Sequence, residues 1–146
     1  MRKRTGDPWM PAPRYARTLK GLTVNLLVRD VAMSLPFYIE VLGLRAVYND
    51  ADFAALLGDQ MQVMLHADHT YDRFPAEVAR LAESGKRGTG AEIRILGLDP
   101  DQVEARARAR GYPVNVPTQV FQHGWRECRL EDGNGYMFAV GVIAEP

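Results

Sequence analysis

Glu92 and Arg94 could supply acid–base or anion-binding chemistry. They stand two positions apart in the apolar segment 91–96, and alternate residues of a strand share one face. Charged groups on one sheet face form either a binding pair in a cavity or an ion pair that satisfies its own charges. Both interpretations stay open, and Glu92 is the best candidate in the chain for a catalytic residue.

The three histidines suggest two further kinds of chemistry. His66 and His69 lie in the segment HADHTYD, which could hold a divalent metal or could form a polar rim at the mouth of a cavity. His123 could act as a general base or lie on the surface. We expect no cofactor, and a divalent metal held by Glu92, His66 and His69 is the alternative.

Trp125 and Cys128 belong to one predicted strand. A tryptophan at the start of a strand is either a core residue or a platform on which a flat ligand stacks. Cys128 is the only cysteine, which excludes an internal disulfide framework. We expect an unreactive, buried thiol and a reducing, cytoplasmic location.

A repeated pattern of one strand, one helix and three strands positions these residues. The first helix begins after Asp30, whose carboxylate can cap free amides, and it ends at Gly43. Alternating apolar residues predict strands at 22–28, 44–48, 53–57, 61–66, 91–96, 114–121, 125–130 and 136–142, and helical spacing predicts further helices at 75–84 and 101–110. The sequence therefore predicts an α+β fold of two β-α-β-β-β modules, residues 21–70 and 89–143, in one domain at 19–146.

Strand alternation assigns the candidate binding residues to one face. If Val24, Leu26 and Val28 lie under the helix, Thr23 and Asn25 point to the opposite side. The same rule applies to the other first and last strands of the modules. The expected ligand-binding residues are Thr23, Asn25, Gln62, Met64, His66, Glu92, Arg94, Trp125 and Met137.

Three motifs occur at the spacing of a known family: VRDV at 28–31, FYIEVLGL at 37–44 and EDGNGY at 131–136. With the repeated modules, residues 22–142 resemble the vicinal oxygen chelate superfamily, which includes glyoxalase I, extradiol dioxygenases and bleomycin-resistance proteins. The resemblance implies a curved mixed sheet around a cavity, the glyoxalase/bleomycin-resistance fold. It also implies a homodimer.

The resemblance carries the family's metal-ligand positions onto four places in this chain. They fall on Thr23, on Gln62 with Met64 or His66 as register alternatives, on Glu92 and on Ala139. Only Glu92 is a strong ligand, and Ala139 has no donor atom. The resemblance therefore implies a metal-independent protein.

The leading hypothesis is a small-molecule-binding protein of the bleomycin-resistance type that sequesters a planar or aromatic ligand. The alternative is a metal-dependent enzyme, similar to lactoylglutathione lyase or a dioxygenase, in which Glu92 acts with Gln62, His66, His69 or His123. A dimerisation module without a ligand is a third possibility.

Charge and composition restrict the partners further. Eighteen basic and eighteen acidic residues give a formal net charge of zero, so no field favours nucleic acid or an anionic membrane. No apolar run reaches the roughly 18 residues of a membrane span. Residues 1–18 are rich in proline and basic residues and are expected to form a flexible arm.

Overall fold

The computed structural model describes residues 1–83 and 85–145, which form two compact units. The first unit comprises Met1–Leu35 and Leu44–Leu81, and the second comprises Pro36–Gly43 and the described part of Ala82–Pro146. Ser84, at the end of the predicted helix 75–84, and Pro146, the last residue of the predicted domain, lie outside the described residues.

The predicted strands and helices occur in the predicted order, and the strand boundaries differ by one or two residues. The helix predicted from Asp30 to Gly43 is instead an α-helix followed by a π-helical turn, and the sequence pattern does not predict the short helix in residues 1–18. The strands are β1 (Val24–Val28), β2 (Arg45–Asn49), β3 (Phe53–Leu57), β4 (Gln62–Ala67), β5 (Glu92–Leu96), β6 (Val114–Val120), β7 (Trp125–Glu131) and β8 (Met137–Ile143). The α-helices are α1 (Ala12–Ala16), α2 (Val31–Pro36), α3 (Pro75–Glu83) and α4 (Pro100–Ala109). A π-helical turn at Phe37–Val41 follows α2, and a 3₁₀ turn at Asp68–Tyr71 follows β4.

Each module forms its own mixed sheet of four strands. The first sheet has the order β1-β4-β3-β2, in which β1 runs parallel to β4 and the other neighbours are antiparallel. The second sheet repeats this arrangement as β5-β8-β7-β6. The two sheets therefore share one topology, as the repeated sequence pattern predicts.

The predicted alternation of faces is confirmed in the first sheet. Leu26 and Val28 of β1 are buried, whereas Asn25, which precedes Leu26, is exposed. In β4, Val63 and Leu65 are buried and His66 is only half-buried. The apolar face contributes to the core of the unit, and the opposite face carries the polar side chains.

Asp30 and Pro36 determine where the helical segment between β1 and β2 begins and where its geometry changes. The Asp30 carboxylate accepts a hydrogen bond from the Met33 amide at 2.9 Å, which caps α2 as predicted. Pro36 has no amide hydrogen, so the α-helical ladder is interrupted there, and the next turn widens. The Leu42 amide then donates to the Phe37 carbonyl at 3.0 Å, five residues back.

Aromatic packing forms the core of the second unit. Phe37 and Tyr38 are fully buried. The Phe37 ring lies 5.1 Å from that of Tyr112 and 5.2 Å from that of Phe138. The Tyr38 hydroxyl donates to the buried Asp132 carboxylate at 2.8 Å, so this polar pair is satisfied inside the core. Throughout the described residues, none of the helices has the length and apolar character required to span a bilayer.

Candidate functional site: an aromatic cavity in the first unit

A cavity of about 780 Å³ lies in the first unit, between the polar face of its sheet and the residues that precede β1. The sheet supplies Tyr48, Phe53, Met64 and His66 to the wall. These side chains come from β2, β3 and β4, and register places Phe53 opposite His66. The face that strand alternation assigns to binding therefore forms one wall of the cavity.

Residues 1–18 supply a further part of the wall, including the aromatic residues Trp9 and Tyr15. The Trp9 ring stacks on Tyr48 with centroids 5.4 Å apart and an interplanar angle of 16°. Tyr15 meets Phe53 edge to face at 5.4 Å and lies 5.8 Å from Trp9. The segment expected to be a flexible arm thus contributes aromatic rings to the cavity wall.

A hydrogen bond ties the arm to the sheet. Gln62 of β4 donates through Nε2 to the Tyr15 hydroxyl at 2.6 Å. Burial raises the pKa of Tyr15 above its ordinary value, with the bond from Gln62 acting in the opposite direction. Gln62, one of the candidate binding residues, does not line the cavity itself. It holds Tyr15, which does, by this hydrogen bond.

His66 belongs to a second chain of hydrogen bonds in the cavity wall. Asn25 donates through Nδ2 to the Tyr71 hydroxyl at 3.0 Å, so its Oδ1 accepts from His66 Nδ1 at 2.6 Å. This places the imidazole proton on Nδ1 and leaves Nε2 as an acceptor. Burial lowers the pKa of His66, which favours the neutral ring.

Asp52 is the most deeply buried charged group in the cavity wall. Its side chain is 4% exposed, and Oδ1 accepts from His69 Nε2 at 2.7 Å and from the Lys3 amide at 2.7 Å. Burial alone would raise the pKa of Asp52, but the bond from His69 and the amides of Lys3 and Arg4 outweigh it, so the pKa lies below its ordinary value. The carboxyl group is therefore ionised at neutral pH.

The predicted binding residues divide between the two units. Met64 and His66 line the cavity of the first unit. Asn25 and Gln62 hold lining residues by hydrogen bonds, and Thr23 immediately precedes β1. Glu92, Arg94, Trp125 and Met137 belong to the second unit.

Sequence reasoning missed five of the residues that form this cavity: Trp9, Tyr15, Tyr48, Asp52 and Phe53. The available signal was the pair of aromatic residues within the proline-rich arm, a segment whose composition otherwise indicates loose structure. Tyr48 and Phe53 also lie on either side of the turn between two predicted strands. Because aromatic side chains lose much apolar surface on packing, such residues favour attachment to a sheet.

In the second unit, Glu92 and Arg94 form an ion pair within a larger network. Arg94 donates to Glu92 at 3.0 Å and also binds Glu127, which is 1% exposed. Arg129 lies 3.3 Å from Glu127 and 3.5 Å from Glu92. Two carboxylates and two guanidinium groups thus neutralise each other on one sheet face.

The remaining candidates of the second unit lie around this network. Trp125 is half-buried at the start of β7, on the same face as Glu127, and Met137 pairs in register with Glu92. His123 lies 3.7 Å from Glu127 and stacks on Phe121, with centroids 5.5 Å apart. Sequence predicted no partner for His123, because the residue lies in a loop.

The residues present do not fit the divalent metal of the related enzymes. Arg94 and Arg129 pair in register with Ala139 from its two sides, so two cationic groups flank the position where the resemblance places a ligand. Glu92 is engaged by both arginines, and His66 and His69 bond to different partners. Among the described residues, no three His, Cys, Asp or Glu side chains converge on a point that could hold a metal ion.

Cys128 lies within the core of the second unit. Burial raises the pKa of its thiol to about 11, and the sulfur lies 3.6 Å from the Pro100 carbonyl oxygen. Thiolate is the nucleophilic form, so this cysteine is poorly suited to covalent catalysis.

Comparison with protein families gives one match that covers most of the chain. The model of the Glyoxalase/Bleomycin resistance protein/Dioxygenase superfamily matches residues 21–140. A search among curated protein sequences finds no match.

Solved structures share this fold at low sequence identity. A glyoxalase/bleomycin resistance protein/dioxygenase family enzyme from Burkholderia phytofirmans PsJN is 20% identical with a TM-score of 0.68, and the alignment covers 83% of this chain and 96% of that one. A glyoxalase/bleomycin resistance protein/dioxygenase from Nocardioides is 18% identical with a TM-score of 0.64 and coverages of 91% and 93%. A glyoxalase-related enzyme from Fulvimarina pelagi is 16% identical with a TM-score of 0.66 and coverages of 85% and 88%.

Proposed function

Because the chain belongs to the glyoxalase/bleomycin resistance protein/dioxygenase superfamily, we propose that it is a small-molecule-binding protein of that superfamily. Its ligand is planar and aromatic, it occupies the cavity of the first unit, and it is sequestered without the aid of a metal ion. The observation that carries the proposal is the set of aromatic rings around that cavity.

Ring geometry supports a flat ligand. Trp9 and Tyr48 are nearly parallel, and Phe53, His66 and Tyr15 form a continuous series of ring contacts beside them. Each of these ring pairs stabilises the cavity wall by about 0.5–1.5 kcal/mol beyond the burial of its area, so the rings offer a flat ligand an ordered apolar surface. The cavity volume of about 780 Å³ also falls in the range of roughly 300–1,000 Å³ that is typical of small-molecule sites.

The charges of the second unit support binding rather than metal-dependent catalysis. Glu92, the strongest ligand among the positions carried over from the family, is paired with Arg94 and Arg129. Coordination of a divalent cation there would require both ion pairs to break. The enzyme hypothesis therefore has less support than sequestration.

Acridine, a flat three-ring compound, tests the proposal by isothermal titration calorimetry. We expect acridine to bind and Trp9→Ala to weaken binding about tenfold, because one stacked ring is worth roughly 1–3 kcal/mol. Trp125→Ala is the matched control, since it removes the other tryptophan of the chain from outside this cavity. Equal affinity of the wild type and Trp9→Ala, or no binding of acridine, would overturn the proposal.

Metal analysis separates the enzyme hypothesis from sequestration. Protein purified without chelator is expected to hold no stoichiometric Ni, Zn, Fe or Mn. A stoichiometric metal that is lost in Glu92→Ala would contradict sequestration and favour a lyase or dioxygenase-like enzyme.

We also infer a homodimer and a cytoplasmic location. The dimer rests on the resemblance to the superfamily, and the location rests on the use of a single cysteine. Light scattering at micromolar concentration measures the mass of the particle in solution, and the mass of a single chain would contradict the homodimer.

A further inference from the structure

We propose that the ligand of the aromatic cavity carries a hydrogen-bond-donating nitrogen, an aromatic amine or a ring N–H, and that Asp52 holds this group. The inference rests on the proposed function, since it specifies the chemistry of the molecule bound in the same cavity. The hydrogen bond to Asp52 would orient a ligand that is otherwise held by contacts with aromatic rings.

Asp52 has one oxygen satisfied and one oxygen unsatisfied. Oδ1 accepts from His69 and from the Lys3 amide, each at 2.7 Å, and the Arg4 amide lies close enough to the same carboxylate to lower its pKa. Oδ2 is buried and has no hydrogen-bond partner among residues 1–83 and 85–145. The side chain is 4% exposed and belongs to the cavity wall. Burial of an unpaired carboxylate oxygen costs free energy, and a donor on the ligand would remove that cost.

The neighbouring carboxylate of Asp50 has hydrogen-bond partners on both of its oxygens. Asp50 accepts from the Tyr48 hydroxyl at 2.5 Å and from the amides of Asp52 and Phe53 at 2.7 Å and 2.8 Å. Both of its oxygens are therefore engaged. Asp52 differs from Asp50 in having one buried oxygen with no hydrogen-bond partner among the described residues.

Two further polar atoms restrict the ligand. Nε2 of His66 is an acceptor, because Nδ1 donates to Asn25, and His66 also lines the cavity. Nε of Arg4, on the arm side, is buried without a hydrogen-bond partner in the described part of the chain. A flat heterocycle with N–H donors for the two acceptors and one acceptor for Arg4 would match the hydrogen-bonding chemistry of these atoms.

Three acridines separate donation from charge and from ring stacking. Acridine has no N–H donor, 10-methylacridinium is a cation without one, and 9-aminoacridine carries N–H groups. We expect 9-aminoacridine to bind the wild type about tenfold to a hundredfold more tightly than either of the others, as for a hydrogen bond to a charged acceptor.

Asp52→Asn tests the residue with little change in shape. Its amide oxygen can still accept from the Lys3 amide, so circular dichroism and thermal unfolding should show a folded protein. We expect the preference for 9-aminoacridine to disappear in this variant. Asp59→Asn is the matched control, because Asp59 is an exposed carboxylate of the same unit that does not line the cavity, and it should keep the preference.

The outcomes distinguish this inference from the proposed function. If none of the three compounds binds, the aromatic site itself is wrong. If all three bind with similar affinity, or if 10-methylacridinium equals 9-aminoacridine, the ligand needs no N–H donor and the inference is overturned. If Asp52→Asn folds poorly, the affinities of the three compounds for the wild type still show whether the ligand needs an N–H donor.

Discussion

His66 contacts both an aromatic ring and a polar side chain of the first unit. Its ring lies 4.7 Å from Phe53 and 5.9 Å from Tyr71, and its Nδ1 is bonded to Asn25. Burial disfavours the protonated ring, whereas the bond to Asn25 is available to both protonation states. A neutral imidazole is therefore part of the native structure, and protonation must weaken it.

This arrangement predicts a pH dependence of stability. The pKa of folded His66 lies below its unfolded value of about 6.5, so the unfolded chain binds the proton more readily. We expect the free energy of unfolding to fall as pH decreases from 7.5 to 5.5, and to fall less in His66→Gln. Urea unfolding at several pH values measures both slopes, and His69 and His123 remain in both proteins. Identical slopes would show that His66 makes no contribution.

The strands of the second unit depend on one small residue. Gly141 of β8 pairs with Glu127 of β7. A Cβ at this glycine would lie 2.6 Å from the Arg126 carbonyl oxygen and 2.7 Å from the Glu127 Cβ. The absence of a side chain at 141 thus allows Glu127 to sit close to β8, where it binds Arg94 and Arg129.

Gly141→Ala is therefore expected to destabilise the protein by about 1–3 kcal/mol, because β7 must move to avoid overlap with the new methyl group. Gly133→Ala is the control: a Cβ added there would meet no heavy atom within 4 Å, and the φ of Gly133 is not in the left-handed region. We expect that control to change stability by less than about 0.5 kcal/mol. Denaturant titration of both variants compares them, and equal midpoints would contradict the steric argument.

At the scale of the whole molecule, the segment before β1 completes the cavity of the first unit. Trp9 stacks on Tyr48, and Tyr15 meets Phe53 edge to face. The Tyr15 hydroxyl accepts from Gln62, and the Lys3 amide donates to Asp52. The family match, by contrast, begins at residue 21. The arm therefore lies outside the segment that the family model matches, and in the proposed function it supplies part of the binding site.

Removal of residues 1–19 is expected to abolish acridine binding and to leave both sheets folded. The double variant Trp9→Ala/Tyr15→Ala keeps the backbone of the arm and should show weakened binding rather than complete loss. Calorimetry measures affinity, and far-ultraviolet circular dichroism checks the sheets. A truncated protein that binds acridine as tightly as the wild type would show that the arm is not part of the site.

The sequence by itself determined the repeated modules, the strand faces and the family, because these follow from local patterns. Alternation of apolar residues assigned His66 and Glu92 to the polar faces, and Phe53–Leu57 forms the strand that its sequence predicts. Asp30 identified the start of α2 because capping acts over three residues. Such signals depend on neighbours within one or two turns of chain.

Only the tertiary structure decided what those faces meet. The contact between Lys3 and Asp52 spans 49 positions, that between Tyr15 and Gln62 spans 47, and that between Arg94 and Glu127 spans 33. The packing of the arm on the first sheet and the pairing of distant strands in the second bring such residues together, and these contacts depend on residues far apart in the chain. The same distance in sequence explains why composition predicts a flexible arm. The rings of Trp9 and Tyr15 pack on Tyr48 and Phe53, which belong to strands much later in the chain.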